Sequence, residues 1–296
     1  MRVATWNVNS LKARLEKVIW WLERAAPDVL LMQETKLADG DVPRDQLARA
    51  GYQLVHHGSG GANGVAIASR GAATDVITNL GLPLDAPATE EAPDDQPLRE
   101  ARMVSAVFEG IRFVSIYAPN GRTVGSIFYQ AKLAWYARLQ RWLAETRQPG
   151  EPLVVGGDFN VAPTDADVWD PAACHGGTHV SPPERNAFVA LLRWGFVDGY
   201  RRLHPEAVEP DRYSWWDYRA GMFHKNYGMR IDHLLATDPV AARIVWAEID
   251  REARKGKPIP SDHAPVIVDL DQPGRALDAG WASADARIAQ RRQPRA

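Results

Sequence analysis

The opening segment restricts the fold more than any later stretch. Arg2 to Trp6 has the length and apolar character of a strand. The polar turn Asn7-Val8-Asn9-Ser10 follows, with Ser10 placed to start a helix. Leu11, Leu15, Val18 and Leu22 then recur at helical spacing, and Pro27 ends that helix. Asp28 to Met32 is a second apolar strand. A strand, an amphipathic helix and another strand in direct succession select an α/β architecture. Both strands run out into polar residues: Asn7 after the first, Gln33-Glu34-Thr35-Lys36 after the second.

The same habit continues along the chain. Tyr52 to His56 and Gly64 to Ser69 read as strands joined by the glycine-rich connection Gly58 to Gly64. That connection lacks the lysine and following hydroxyl of a nucleotide-binding P-loop and reads as a turn. Leu80 to Glu100 is rich in Pro, Asp and Glu and is expected to be a solvated loop. Met103 to Phe108 and Arg112 to Tyr117 form a hairpin that runs into Tyr117-Ala118-Pro119-Asn120-Gly121. Tyr129, Leu133, Tyr136, Leu139 and Leu143 mark a long amphipathic helix. Pro152 to Val155 is a β-branched strand, after which Gly156 and Gly157 permit a sharp turn into Asp158-Phe159-Asn160. If the extended backbone carries on past the glycines, Asp158 and Asn160 face the same side. Glu184 to Trp194 is helical and stops at Gly195. Arg212 to Trp216, Ile231 to Ala236, Ile244 to Ile249 and Val266 to Leu270 read as strands. Many strands, few helices and no linker imply one domain with two sheets over residues 1–271, followed by a polar tail, 272–296.

Bulk properties narrow the function classes. A net charge of −2 over 296 residues argues against a purely electrostatic nucleic-acid binder, yet allows an enzyme that gathers carboxylates around a metal. The single cysteine, Cys174, rules out an internal disulfide and fits a reducing compartment. Met1 to Asn9 shows no basic region followed by an apolar core, and no run approaches the ~20 apolar residues of a membrane span. Cytoplasmic residence and no membrane partner are therefore expected. Cys174, His175 and His179 share a glycine-containing loop but are too few and too loosely spaced for zinc.

Five strand ends or turns carry polar groups able to converge: Asn7; Glu34; Tyr117 with Asn120; Asp158 with Asn160; and Asp232 with Asp262-His263. Oxygen donors without a cysteine cluster suit a hard cation, and Mg²⁺ takes one or two protein carboxylates with substrate phosphate completing its shell. Phosphodiester hydrolysis uses a metal, a base for water and donors for developing negative charge. Singly, each residue has a plain structural role: Asp158 and Asn160 as turn caps, Asp232 paired with Arg230, His263 as a satisfied core histidine. Jointly those roles leave many polar strand ends without a common purpose.

Seven stretches in order carry a resemblance: Thr5-Trp6-Asn7-Val8-Asn9, Gln33-Glu34-Thr35-Lys36, Tyr117-Ala118-Pro119-Asn120-Gly121, Gly157-Asp158-Phe159-Asn160, Trp216-Asp217-Tyr218-Arg219, Met229-Arg230-Ile231-Asp232 and Ser261-Asp262-His263-Ala264-Pro265. Together they resemble the motifs of the bacterial exodeoxyribonuclease III family, within the endonuclease/exonuclease/phosphatase superfamily. The resemblance implies a four-layer α-β-β-α sandwich, two mostly antiparallel mixed sheets packed face to face with helices outside. It implies a Mg²⁺-dependent DNA-repair nuclease, with Mn²⁺ as an alternative ion. Such an enzyme cuts duplex DNA 5′ to abasic sites, and trims or cleans 3′ ends, as a monomer. By the same resemblance Glu34 would be the main metal carboxylate with Asn7 close by, Asp158 and Asn160 also near the metal, and Asp262 near it or at a second cation position. Asp158 would activate water. Asn160 and Tyr117 would hold the scissile phosphate, as would His263, oriented by Asp232. Lys36, Asn120 and Arg122 would approach the DNA backbone, and Trp215 and Trp216 would shape a pocket for an extrahelical sugar. His233, where relatives carry apolar residues, receives no role. The competing readings are a superfamily phosphatase or phosphodiesterase acting on lipid or inositol phosphates, and a catalytically silent DNA-binding member.

Overall fold

The computed structural model describes residues 1–81, 100–205, 212–275 and 277. The acidic stretch expected as a loop falls at 82–99, outside the described residues, as does most of the 272–296 tail.

Among the described residues, twelve strands form two six-stranded sheets. The first contains β1 (Arg2–Asn7), β2 (Val29–Gln33), β3 (Gln53–His57), β4 (Val65–Ser69), β11 (Ile244–Ile249) and β12 (Val266–Leu270), in the order β11-β12-β1-β2-β4-β3. The second contains β5 (Thr74–Thr78), β6 (Met103–Phe108), β7 (Ile111–Tyr117), β8 (Leu153–Asp158), β9 (Phe196–Asp198) and β10 (Asp232–Thr237), in the order β5-β6-β7-β8-β10-β9. Each sheet has one parallel pair at its centre, β1 with β2 and β7 with β8; the other pairs are antiparallel.

The sheets pack face to face over Val3, Val29, Leu31, Val104, Phe113, Val154 and Leu234, all buried. The Leu11–Ala25 helix covers the outer face of the first sheet through Val18, Trp21 and Leu22. The Ile127–Thr146 and Pro182–Trp194 helices cover the outer face of the second through Trp135, Leu139, Leu143, Phe188 and Leu191. Helix, sheet, sheet and helix thus form four layers, as expected. Strands buried on both faces explain why they read as continuous apolar runs. Leu277, within the expected tail, is buried in the cluster under the first helix.

Three local expectations change. Gly156 and Gly157 do not turn the chain; both lie inside β8, which runs on to Asp158. A Cβ on Gly157 would stand 1.9 Å from the Ile116 carbonyl oxygen, and one on Gly156 would meet Leu234 and Leu31 at 2.6 and 2.7 Å. The glycines are there for close packing in the sheet. The turn falls instead at Asn160, with φ 51°, so side-chain alternation ends at Asp158. Arg212 to Trp216 is not a strand: Trp215 makes only isolated bridges to Met229 and His263. The short edge strands β5 and β9 had no clear sequence pattern.

Candidate active site

Register brings the polar strand ends together. Asn7, at the end of β1, lies beside Gln33 at the end of β2. Tyr117, at the end of β7, lies beside Asp158 at the end of β8, and Asp158 lies opposite Asp232 at the start of β10. Glu34 follows β2 in the left-handed region (φ 50°), as does Lys36 (φ 55°). Backbone bonds from Thr35 and Lys36 to the Gly64 and Asn63 carbonyls hold that bend.

At the centre, the Asn7 amide nitrogen donates to Glu34 Oε1 at 2.8 Å and to Asp158 Oδ2 at 2.9 Å. Ligand atoms of Glu34, Asp158 and His263 lie within 4.8 Å of one another. No other metal-competent group of His, Cys, Asp and Glu occurs among the described residues, the Cys174–His179 loop included. His263 Nδ1 meets Asp232 Oδ2 at 2.8 Å, while its Nε2 stands 3.8 Å from Asp158 Oδ2. Ser214 Oγ donates to the same Asp232 oxygen at 2.6 Å, and the Ile231 and Asp232 amides donate to Ser214. Ser261 Oγ donates to the Asn7 carbonyl at 2.6 Å and accepts from the His263 amide, tying the last motif to the first.

The charges are set by burial and by one another. Burial pushes Asp158 up to about 7, with Asp232 and Glu34 adding to the rise and His263 and Asn7 opposing it. Burial opposes a charge on His263, but Asp232 and Asp158 outweigh it and raise its pKa to about 10. Burial also resists ionisation of Glu34; the Asn7 amide and the Lys36 ammonium, 3.0 Å from Oε2, overcome it and hold the carboxyl below its ordinary value. Burial, then the Glu34 carboxylate, keep the Tyr117 phenol protonated. Clamped on Asp232, His263 is a cationic donor. The Glu34 and Asp158 oxygens, with the Asn7 amide, then form a hard, anionic mouth that fits a divalent cation of the Mg²⁺ type.

The remaining expected residues divide. Asn160 places its amide at the mouth's rim: Oδ1 accepts from Asn120 at 3.2 Å, Nδ2 donates to the Ala118 carbonyl, and its backbone N–H donates to Asp158 Oδ1. Arg122 is exposed, with its amide on Asn120 Oδ1 and its guanidinium 3.6 Å from the Phe128 ring centre. Asp262 is spoken for by Asn9 (2.9 Å) and the Trp215 indole (3.2 Å), outside the Glu34–Asp158–His263 group. Trp215 is half-buried with its ring 6.4 Å from His263. Trp216, expected beside it in a pocket, is 0% exposed and packs in the core. Asn9, Ser214 and Ser261 carry site bonds the sequence reading did not assign. Asn9 and Ser261 had a signal, each two residues from a site residue in the same motif (Asn7 and His263), and Ser214 had none; Lys36 Nζ donates to Asn9 at 2.7 Å.

Comparisons with known proteins show what the chain resembles. The Endonuclease/Exonuclease/phosphatase family model matches residues 4–263. Exodeoxyribonuclease III of Haemophilus influenzae is 31% identical over 284 residues, covering 91% of this chain and 100% of that protein. An AP endonuclease from Archaeoglobus fulgidus superposes with a TM-score of 0.82 at 37% identity, covering 92% of this chain and 100% of that one. A 3′ phosphatase from Neisseria, solved with a product DNA hairpin, superposes with a TM-score of 0.80 at 37% identity and the same coverage.

Proposed function

The chain belongs to the endonuclease/exonuclease/phosphatase family, and on that premise we propose that it is a DNA-repair nuclease hydrolysing phosphate esters at abasic sites and 3′ ends. The observation that carries this reading is the meeting of Glu34, Asp158 and His263 within 4.8 Å, from three strand ends far apart in sequence. Relatives that act on DNA make DNA the substrate of choice over inositol or lipid phosphates.

Glu34 and Asp158, with Asn7 between them, would hold Mg²⁺, or Mn²⁺ in its place. When bound, the cation supplies Lewis-acid polarisation of the phosphate and lowers the pKa of water. Asp158, anchored by Asn7 at Oδ2 and by the Asn160 backbone N–H at Oδ1, would accept the proton of the attacking water. His263, kept cationic by Asp232, donates from Nε2 to a phosphate oxygen where negative charge develops. Tyr117 keeps its proton and is a second donor; the Asn120–Asn160 amide pair is a third. Lys36, 3.0 Å from Glu34, and the exposed Arg122, whose backbone N–H bonds Asn120, would suit backbone phosphates. Trp215, beside His263, offers an apolar wall to a sugar turned out of the helix. Asp262 acts through Asn9 and Trp215 and is assigned no direct place on the metal.

Among the described residues no helix is long and apolar enough to cross a membrane. Action as a cytoplasmic monomer completes the reading. The test is a substrate panel in Mg²⁺, Mn²⁺ or chelator: plasmid with abasic sites, duplex with a 3′-phosphate, recessed duplex, inositol phosphates and sphingomyelin. Metal-dependent cutting of a DNA substrate is expected. Binding to abasic duplex without any cutting, or turnover of the non-DNA esters alone, would overturn it.

A further inference from the structure

Three consecutive carbonyls beside the site are each gripped by a buried side chain. The Tyr136 hydroxyl donates to the Phe159 carbonyl at 2.5 Å. Lys132 Nζ and His179 Nδ1 both donate to the Asn160 carbonyl at 2.6 Å. His233 Nε2 donates to the Val161 carbonyl at 3.0 Å. Asn160 itself sits at φ 51°, a conformation that persists where the surroundings over-determine it.

Lys132 holds the central place in this collar. It comes from the Ile127–Thr146 helix and forms an ion pair with Glu184 of the Pro182–Trp194 helix; both side chains are 0% exposed. Burial pulls the Lys132 pKa down, and Glu184 opposes that pull. Glu184 also accepts from the Thr178 hydroxyl and from the His179 and Ser181 amides. A buried ion pair contributes little to stability compared with an apolar pair of similar volume. What Lys132 does that an apolar residue does not is span two carbonyls, Asn160 at 2.6 Å and Asn120 at 3.3 Å. These two residues are the ones whose side-chain amides meet at 3.2 Å at the rim of the mouth.

We propose that Lys132, charge-balanced by Glu184, is a positioning residue: through the carbonyls of Asn120 and Asn160 it fixes the paired amides that face the phosphate. The catalytic consequence rests on the nuclease reading; the geometric one does not. Misplacement of such a group by about 1 Å costs up to about 100-fold in rate.

The test compares Lys132→Met and the charge-balanced pair Lys132→Met/Glu184→Gln with wild type, each with and without Asn160→Ala. The paired variant leaves no lone buried charge, so it keeps the test valid if the single variant fails to fold. With Asn160 present, kcat should fall about 10- to 100-fold with KM changed less than about 3-fold. In the Asn160→Ala background the same changes should lower kcat by less than about 3-fold, because the amide pair that Lys132 holds together is then already broken. Equal losses in both backgrounds, or no loss in either, would overturn the proposal. A second arm needs no turnover. The ¹³Cα and ¹³Cβ shifts of Asn160 report its left-handed backbone and should move away from those values in the paired variant. Unchanged shifts would refute the positioning role even if the wild type cut no DNA, an outcome that would separately end the nuclease reading.

Discussion

Replacing Asp158 with Asn should make the metal-free protein more stable and nearly inactive at once. Burial raises the Asp158 pKa from 3.8 to about 7. The folded state therefore holds this proton more tightly than the unfolded chain, so stability falls as pH rises from about 4 to about 7 and the full penalty stands at pH 8. That interval is worth about 4 kcal/mol for the carboxylate alone. Two losses reduce the gain. His263 gives up one of the carboxylates that raise its pKa. The new amide can keep its oxygen on the Asn7 nitrogen, which now bonds Asp158 Oδ2 at 2.9 Å, only by turning its own nitrogen to the Asn160 N–H and losing that bond, about 1 kcal/mol. A net gain of about 1–3 kcal/mol remains. Thermal unfolding at pH 8 in chelator reads it, and the difference from wild type should shrink towards pH 4. Added Mg²⁺ should stabilise wild type more than the variant. Turnover on the best DNA substrate should fall at least about 10²- to 10⁴-fold through loss of the base. A variant less stable than wild type in chelator, or one with near-normal turnover, would refute the reasoning.

Glu34→Ala should raise the Mg²⁺ concentration needed for half-maximal activity at least about 10-fold, and an unchanged metal titration would remove Glu34 from the site. Arg230 is fully buried and bonds Asp167 at 2.7 Å and Asp198 at 2.6 Å, holding both carboxyls well below the usual range against the effect of burial. Wild-type stability from these two groups is present above about pH 4 and is lost on further acidification. Arg230→Met should cost about 3–5 kcal/mol at pH 7 in urea unfolding, with a smaller deficit near pH 5 as the stranded carboxylates protonate; a deficit that grows with acid would contradict this. Trp216→Ala should destabilise the fold by about 3–5 kcal/mol, whereas Trp215→Ala should mainly weaken abasic-DNA binding; melting curves and fluorescence anisotropy separate the two, and equal melting losses would place both in the core.

The Trp215–Trp216 pair shows where sequence reading runs out. Two adjacent tryptophans in one polar stretch look equivalent, but only the path of the chain between Met229 and Asp262 decides which ring turns inward. Gly156 and Gly157 look like a turn because glycine's backbone freedom is a local property. Their actual cause, the approach of Ile116, Leu31 and Leu234, belongs to neighbouring strands. Arg212 to Trp216 has the composition of a strand and no ladder to join. Lys132 and Glu184 read as ordinary helix residues 52 positions apart, and nothing in either helix announces that they meet.

The chain's own order of residues determined which segments are apolar enough to be strands and helices, and that polar groups cluster where strands end. It also supplied the family motifs, because composition and short-range spacing are written along the backbone. Tertiary structure alone decided that those ends share one mouth. Strand register sets Asp158 beside Tyr117 and opposite Asp232, and the packing of two sheets brings Asn7 and Glu34 across to them. The perturbed acidities of Asp158 and His263 follow from that meeting and from burial, and neither exists until the sheets have closed on each other.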